Sequence, residues 1–284
     1  MIECQRTVAS KFSVPGIGLH SGRDVMVTIH PAAPDHGISI AISGGSPVRL
    51  APDRVARVPL CTRVVTPAGV IDTVEHLMAA LMIVGIDNVH VDVSGNEVPV
   101  LDGSSAPWRD AIMATGIVSQ PAPRRFLRIA RPFEFEIGGS RYSAAPGPVA
   151  VSVTIDFPGT FIGRQSISVE RGRLGELLDA RTFTFESELE HLSEMGLALG
   201  GSLENAVVVG KNGPLNPDGL RGADEFVRHK ALDLVGDLAF AGGPILGRVS
   251  AFRPGHAANN AFLAAMFADG ILVGGHAESV RIAA

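Results

Sequence analysis

The chain has 284 residues, of which 46% are hydrophobic, and its formal net charge is −5. This length and composition support a substantial core in one large domain or two smaller ones, and they exclude global disorder. The acidic balance and the lack of Lys- or Arg-rich runs argue against a nucleic-acid-binding surface.

The cysteine content, the opening residues and the apolar runs indicate the cellular compartment of the protein. Two cysteines, Cys4 and Cys61, are too few for a disulfide framework and suit a reducing environment. The opening residues "MIECQRTVAS" lack the basic and apolar regions of a signal peptide. The longest strongly apolar run, Leu77–Ile86, is too short to span a bilayer. We therefore expect a soluble cytoplasmic protein with no transmembrane segment. The sequence leaves the oligomeric state open, and a monomer is the expectation.

The first part of the chain alternates strand and helix patterns. Strand-like runs are followed by a helix-like segment, a strand and a second helix, in the order "VMVTIHP", "GISIAIS", "CTRVV", "TVEHLMAALMIV", "NVHVDVS" and "APWRDAIMATG". The segment "SQPAPRRF" (119–126) contains two prolines and lacks periodicity, so we interpret it as a linker. This predicts an N-terminal domain over residues 1–120 and a C-terminal domain over residues 126–284.

The second part repeats this plan. Strands are predicted at "FLRIARPFEFEI" and "VAVSVTIDF", and helices at "GRLGELLDA" and "SELEHLSEMG". Strand "NAVVVG", helix "EFVRHKALDLVGDLAF", strand "ILGRVSAF" and helix "HAANNAFLAAMF" follow. Each half thus runs from strands to a helix with an early histidine, then a strand and a last helix. We predict a duplicated α+β unit whose His-bearing helices lie close together.

The helix that begins at Glu225 carries a column of polar side chains. Residues four apart lie above one another on a helix, so His229, Asp233 and Asp237 share one face and Lys230 lies beside them. His229 and Asp233 could be two ligands of a hydrolytic metal site, with His76 of the first half as the third. Glu75, which precedes His76, would then reach the attacking water. The spacing leaves a second interpretation open, a helix with a solvated polar stripe.

Two further segments contain polar residues where a strand meets a helix. His256 lies in "FRPGHAANN", in a turn that leads into a helix, and a cationic imidazole there needs a carboxylate partner such as Asp237. An ordinary helix-entry histidine is the alternative. The segment "LDARTFTF" combines Arg181 and Thr182 with two phenylalanines, and it also fits a plain strand.

Eight motifs in register connect these segments to one family. They are "GIGLHSG" (16–22), "TVEHLMAAL" (73–81), "GIDN" (85–88), "LDGSSAPW" (101–108), "ARTFTF" (180–185), "LGGS" (199–202), "DEFVRHKALDLVGDL" (224–238) and "GHAANN" (255–260). In order and spacing, over nearly the whole length, the chain resembles the UDP-3-O-acyl-N-acetylglucosamine deacetylases.

The resemblance implies a fold and a reaction. The fold would be two similar α+β domains whose helices are sandwiched between two β-sheets. The reaction would be hydrolysis of the acetamide of UDP-3-O-[(R)-3-hydroxyacyl]-N-acetylglucosamine to acetate and a free amine, the committed step of lipid A biosynthesis. The cofactor would be Zn²⁺, with Fe²⁺ as the alternative.

The resemblance also implies residue roles. The metal ligands would be His76, His229 and Asp233. The catalytic groups would be Glu75 as general base, His256 as general acid oriented by Asp237, Thr182 as an oxyanion donor, and Lys230 facing substrate and oxyanion.

Substrate contacts follow in the same way. Lys230 and Arg253 are the cations placed near the chemistry for the diphosphate. Phe157 and Phe185 would contact the uracil, or else pack in the core. The insert 187–209 would form a hydrophobic passage for the acyl chain, lined by Leu189, Leu192, Ala198, Ser202, Leu203, Ala206 and Val208. Composition alone would assign the same residues to the core.

Some questions stay open at this point. His20 is interpreted as a hydrogen-bonded loop histidine without a catalytic role, and Cys61 is kept out of the ligand set. The acyl-chain length is not defined by the sequence. Two other functions remain as alternatives: a zinc amidase acting on a different acylated amine, and an inactive binding module. The module would be expected to have lost Glu75 or a ligand, and this chain retains them.

Overall fold

The computed structural model describes residues 3–276, so the end of the predicted second domain, including the tail "RIAA", lies outside the described residues. The described chain contains five α-helices: α1 (Glu75–Val84), α2 (Ala106–Thr115), α3 (Leu189–Glu194), α4 (Glu225–Leu238) and α5 (His256–Ala268). None of these helices is long and apolar enough to cross a membrane.

Strands provide most of the remaining structure. The first ten are β1 (Cys4–Val8), β2 (Phe12–Ile17), β3 (Asp24–Pro31), β4 (Ile38–Ile42), β5 (Val48–Arg49), β6 (Val55–Ala56), β7 (Arg63–Thr66), β8 (Gly69–Ile71), β9 (Val89–Val93) and β10 (Ile117–Pro123). The others are β11 (Arg125–Ile129), β12 (Phe133–Ile137), β13 (Ser140–Ala145), β14 (Ala150–Phe157), β15 (Gly163–Glu170), β16 (Phe183–Phe185), β17 (Val207–Gly210), β18 (Gly213–Pro214), β19 (Ile245–Leu246), β20 (Arg248–Phe252) and β21 (Leu272–His276).

A five-stranded sheet forms the body of the first half, in the order β2-β3-β9-β4-β5. Strand β9 lies at its centre, antiparallel to β3 and parallel to β4, and Val91 faces Ile29 on one side and Ile40 on the other. These three side chains are fully buried, because alternate residues of a half-buried strand point into the core.

The second half contains a sheet of the same topology, in the order β12-β13-β20-β14-β15. Its central strand β20 is likewise antiparallel to one neighbour, β13, and parallel to the other, β14. In both halves the central strand follows one long helix and precedes another. The prediction of a duplicated α+β unit is therefore confirmed, and so is the predicted α+β fold class. The domain boundaries at residues 120 and 126 stay predictions.

Helices α1 and α4, one from each half, pack against each other, and α4 also packs on β14 and β15. Helices α1 and α4 approach each other closely at Gly236, where an added Cβ atom would lie 2.2 Å from the carbonyl oxygen of Glu75. Only a glycine permits this contact. It brings the beginning of α1 against the middle of α4, where the predicted polar column lies.

Two local predictions were wrong. The segment predicted as a linker is mostly strand, since β10 runs to Pro123 and pairs antiparallel with β1. Prolines are tolerated there because this sheet has only two strands, and an edge strand need not donate every N–H. The segment predicted as a helix at "GRLGELLDA" forms a 3₁₀ helix, Arg171–Leu177. The other predicted helices are confirmed as α1 to α5.

Candidate metal and acid–base site

Three predicted ligands converge between α1 and α4. His76, His229 and Asp233 are buried, and one potential ligand atom of each lies within 4.8 Å of the others. His76 lies in the first turn of α1, while His229 and Asp233 occupy successive turns of α4. The Oδ1 atom of Asp233 lies 3.3 Å from Nε2 of His229 and 3.7 Å from Nε2 of His76.

The chemistry of this cluster fits a metal ion. Asp233 Oδ1 is buried and has no hydrogen-bond partner among the described residues. Burial lowers the pKa of His229 to about 3, so its imidazole is neutral and offers a lone pair. A buried carboxylate oxygen that faces two imidazole nitrogens needs a cation, and two histidines with one carboxylate are a common ligand set of zinc hydrolases.

Glu75 is held beside the cluster by a backbone donor. The N–H group of Thr62 donates to Glu75 Oε2 at 3.0 Å, and Oε1 lies 3.7 Å from Nε2 of His256. Burial raises the pKa of Glu75, and the carboxylates of Asp237 and Asp233 act in the same direction. The carboxylate therefore has a higher proton affinity than an exposed glutamate, which suits a general base.

His256 lies across from Glu75 and is paired with Asp237. Its Nδ1 atom is 3.0 Å from Asp237 Oδ2. Burial alone would lower the pKa of His256, but the carboxylates of Asp237, Glu75 and Asp233 raise it to about 9. The imidazole is thus cationic at neutral pH, although it is the first residue of α5 and faces the positive end of that helix.

Sequence reasoning missed the groups that hold Asp237. Thr62 donates a short hydrogen bond to Oδ1, and the amide nitrogen of Asn259 donates to Oδ2 at 2.7 Å. The hydroxyl of Tyr142 donates to the amide oxygen of Asn259 at 2.7 Å, which fixes the amide so that its NH₂ faces the carboxylate. Asn259 is one helical turn after His256 in the "GHAANN" motif. The predicted helix therefore already placed Asn259 on the same face as His256, which could have indicated its contact with Asp237.

Lys230 completes the cluster on the metal-ligand side. Its ammonium donates to Asp233 Oδ2 at 2.8 Å and lies 5.5 Å from the centre of the Phe183 ring. Burial opposes the charge of Lys230, but Asp233 and the other carboxylates raise its pKa. Burial would also raise the pKa of Asp233, yet the neighbouring imidazoles and Lys230 hold it well below its usual range.

An apolar cleft of about 320 Å³ lies next to the cluster, because the Phe183 ring that lines the cleft is 6.1 Å from the His229 ring, centre to centre. Strands β16 and β17 pair in parallel with α3 between them, so the predicted insert is a βαβ unit. All seven predicted acyl-passage residues line this one cleft: Leu189, Leu192, Ala198, Ser202, Leu203, Ala206 and Val208. Leu19 and Leu60 of the first half close it from the other side.

The other residues predicted to contact the substrate lie in the cleft, in the core or on the surface. Thr182 lines the apolar cleft. Phe157 and Phe185 are half-buried, with ring centres 5.5 Å apart, and both pack against the core. Arg253 is exposed in the loop before α5, with a positive φ of 51°. The substrate contacts assigned to Arg253 and the two phenylalanines stay predictions.

Two undecided residues can now be placed. The interpretation of His20 as a hydrogen-bonded side chain was wrong, because both ring nitrogens are buried and have no partner among the described residues. The hydrogen bond at this residue comes from its backbone N–H, which donates to Glu97 Oε1 at 2.8 Å. Cys61 is buried, and burial together with the charge of Glu75 raises the pKa of its thiol. A protonated thiol is a poor metal ligand.

A buried cluster of two histidines and a carboxylate, flanked by a glutamate and a charged histidine, is typical of metal-dependent hydrolases. Residues 5–268 match the family described as UDP-3-O-acyl N-acetylglycosamine deacetylase. The chain belongs to this family.

Several curated proteins named UDP-3-O-acyl-N-acetylglucosamine deacetylase are similar to this chain. That of Nitratidesulfovibrio vulgaris is 44% identical over 267 residues, which cover 91% of this chain and 86% of that protein. That of Neisseria gonorrhoeae is 41% identical over 278 residues, covering 93% and 90%. That of Stenotrophomonas maltophilia is 41% identical over 274 residues, covering 93% and 90%.

Proposed function

We propose that this protein is a zinc-dependent deacetylase of lipid A biosynthesis. Its substrate is UDP-3-O-[(R)-3-hydroxyacyl]-N-acetylglucosamine, and it hydrolyses the acetamide to acetate and a free 2-amine. The observation that carries this proposal is the juxtaposition of the buried His76, His229 and Asp233 cluster with an apolar cleft, in a chain of this family.

The proposed ligands are His76, His229 and Asp233. A zinc ion held by these residues would supply Lewis-acid polarisation of the amide carbonyl and would lower the pKa of a water molecule to about 7. The buried setting of the three side chains strengthens every charge interaction around the reacting amide.

Glu75 and His256 divide the proton transfers between them. Glu75 takes a proton from the attacking water, which its raised pKa favours. His256, kept cationic by Asp237, donates a proton to the leaving amine, which would otherwise be expelled as an unstable anion. The carboxylate and the imidazole are 3.7 Å apart in the structure, so both reach the same small volume.

The negative charge that develops on the carbonyl oxygen needs hydrogen-bond donors in addition to the metal ion. Lys230 is half-buried and donates to Asp233, and Thr182 lies in the wall of the adjoining cleft. We assign stabilisation of this oxyanion to the Lys230 ammonium and the Thr182 hydroxyl. Removal of one such donor typically raises the barrier by about 2.7–4 kcal/mol.

The cleft determines which acylated amine is accepted. Its lining is provided by aliphatic side chains of the βαβ insert and by Leu19 and Leu60, so it suits a 3-hydroxyacyl chain. Arg253 and Lys230 would meet the diphosphate, and Phe157 and Phe185 the uracil.

The decisive experiment measures acetate release from this substrate by the zinc-loaded protein, with UDP-N-acetylglucosamine as the unacylated control. We expect rapid release only from the acylated substrate. A matched Glu75→Gln variant should retain zinc and lose release, because the amide cannot accept the proton. Zinc binding without acetate release would indicate a binding module, and release from other acylated amines with equal efficiency would indicate a general amidase.

A further inference from the structure

A buried ion pair joins the start of helix α4 to the segment that precedes strand β16. Arg181 donates from Nε to Glu225 Oε1 at 2.8 Å and from Nη2 to Oε2 at 3.1 Å. The backbone N–H groups of Arg181 and Arg221 donate to the same carboxylate at 3.1 and 2.6 Å. The side chains of Arg181 and Glu225 are only 7% and 1% exposed.

Both members of the pair lie next to residues of the metal cluster. Glu225 is one helical turn before His229, and Arg181 directly follows Ala180, whose carbonyl oxygen lies 3.1 Å from Nδ1 of His229. A carbonyl oxygen can only accept a hydrogen bond, so Nδ1 carries the proton and Nε2 keeps its lone pair. Nε2 is the atom that faces Asp233.

The contact between Ala180 and His229 depends on the position of a segment outside the helix. Ala180 lies between a 3₁₀ helix and β16, and its carbonyl is not held by an intrahelical bond of α4. The ion pair connects the next residue to the same face of α4 through two parallel hydrogen bonds, which define orientation as well as distance. The ion pair therefore fixes the position of the Ala180 segment relative to α4.

Stability alone does not account for this pair. Removing two charges from water costs about as much as their mutual attraction returns, so apolar replacements of both partners are often neutral for folding. A geometric role is the better explanation, and the residue whose geometry it controls is His229.

We propose that Arg181 and Glu225 are a positioning pair that holds the Ala180 carbonyl on Nδ1 of His229 and thereby sets the metal affinity. The inference rests on the metal site of the proposed function. Mutation of a residue that orients a metal-binding histidine typically lowers metal affinity by about 10- to 100-fold.

The test uses the double variant Arg181→Met with Glu225→Leu, which removes both charges and leaves neither unpaired. Zinc affinity is measured by competition with a chelator, and thermal melting is recorded in parallel. The matched control is Arg124→Met with Asp87→Leu, because Arg124 and Asp87 form a pair of the same Nε–O distance, 2.8 Å, with side chains 5% and 12% exposed. The control pair has no contact with the cluster.

We expect zinc affinity to fall by about 10-fold or more in the first variant, even where its melting temperature matches that of the control, and to be unchanged in the control. Unchanged affinity in the first variant, or an equal loss in both, would overturn the inference. Failure of the wild-type protein to bind zinc would instead contradict the proposed function itself.

A second measurement needs no metal. Long-range ¹H–¹⁵N spectra of the zinc-free protein report which ring nitrogen of His229 carries the proton, with His229→Gln providing the assignment. Wild type and control should show the proton on Nδ1, and the Arg181 and Glu225 double variant should show a mixture. An Nδ1 proton retained in full in that variant would mean that Ala180 keeps its position without the pair.

Discussion

The apolar cleft beside the metal cluster allows a test of substrate recognition at one position, Ala206. The side chains around it alternate in direction: Ala206 and Val208 line the cleft, whereas Val207 and Val209 belong to the core. A phenylalanine at position 206 would therefore enter the cleft rather than the core. It should obstruct an acyl chain while leaving the packing of β17 intact.

The cost follows from the length of chain that is excluded. Each buried methylene contributes about 0.8 kcal/mol, so loss of four would cost roughly 3 kcal/mol, or about a hundredfold in affinity. A short acyl chain does not reach the obstruction and should lose little. The assay compares kcat/KM of Ala206→Phe for long-chain and short-chain 3-hydroxyacyl substrates, with thermal melting recorded for each protein.

Val207→Phe is the matched control, because Val207 is 0% exposed and faces away from the cleft. Overpacking of the core typically costs about 1–3 kcal/mol, so this variant should melt at a lower temperature without discriminating between the substrates. An equal loss for both substrates in Ala206→Phe, together with a large fall in melting temperature, would show that position 206 is part of the core. The acyl passage would then have to lie elsewhere.

Three other predictions concern the metal cluster and its neighbours. Asp233→Ala should abolish stoichiometric zinc binding, since only two ligands remain, and full occupancy by elemental analysis would contradict the ligand set. The kcat/KM profile should be bell-shaped: activity rises with pH as Glu75 deprotonates, at a pKa above its ordinary value, and falls near pH 9 as His256 loses its proton. An unchanged basic limb in His256→Ala would exclude that assignment. Gly236→Ala should lower kcat in spite of the better helix propensity of alanine, because its Cβ would displace the Glu75 backbone, 2.2 Å away; wild-type activity would refute this.

The helices were the most predictable part of the fold. The segments that became α1, α4 and α5 have long apolar periodicity, which depends only on neighbouring residues. Strand β10 was not predictable in the same way, since prolines within it break the strand pattern and its formation depends on pairing with β1 at the other end of the domain. The segment Arg171–Leu177 contains helix-forming residues but also two glycines, which disfavour an α-helix, and it forms a 3₁₀ helix instead.

The candidate metal-binding and acid–base residues were predicted from motifs, whereas the groups that hydrogen-bond to them were not. His229 and Asp233 are four residues apart, so their proximity is visible in the sequence. Thr62 and Asp237 are 175 positions apart, and Tyr142 and Asn259 are 117 apart. The Thr62–Asp237 contact arises only once the two halves have packed, and the Tyr142–Asn259 contact only once β13 and α5 of the second half have packed. In neither pair does the spacing of one residue indicate the other.

The duplicated plan also shows why the site is asymmetric. The runs "VEHL" and "VRHK" place His76 and His229 at equivalent positions, but Glu75 corresponds to Arg228. Arg228 is turned away from the cluster and pairs with Asp224 at 2.8 Å. Helix α1 contributes Glu75, the proposed general base, whereas α4 contributes Asp233, so two similar units supply different functional groups to the same site. Such a site requires contact between the halves, so we expect neither half alone to bind zinc tightly.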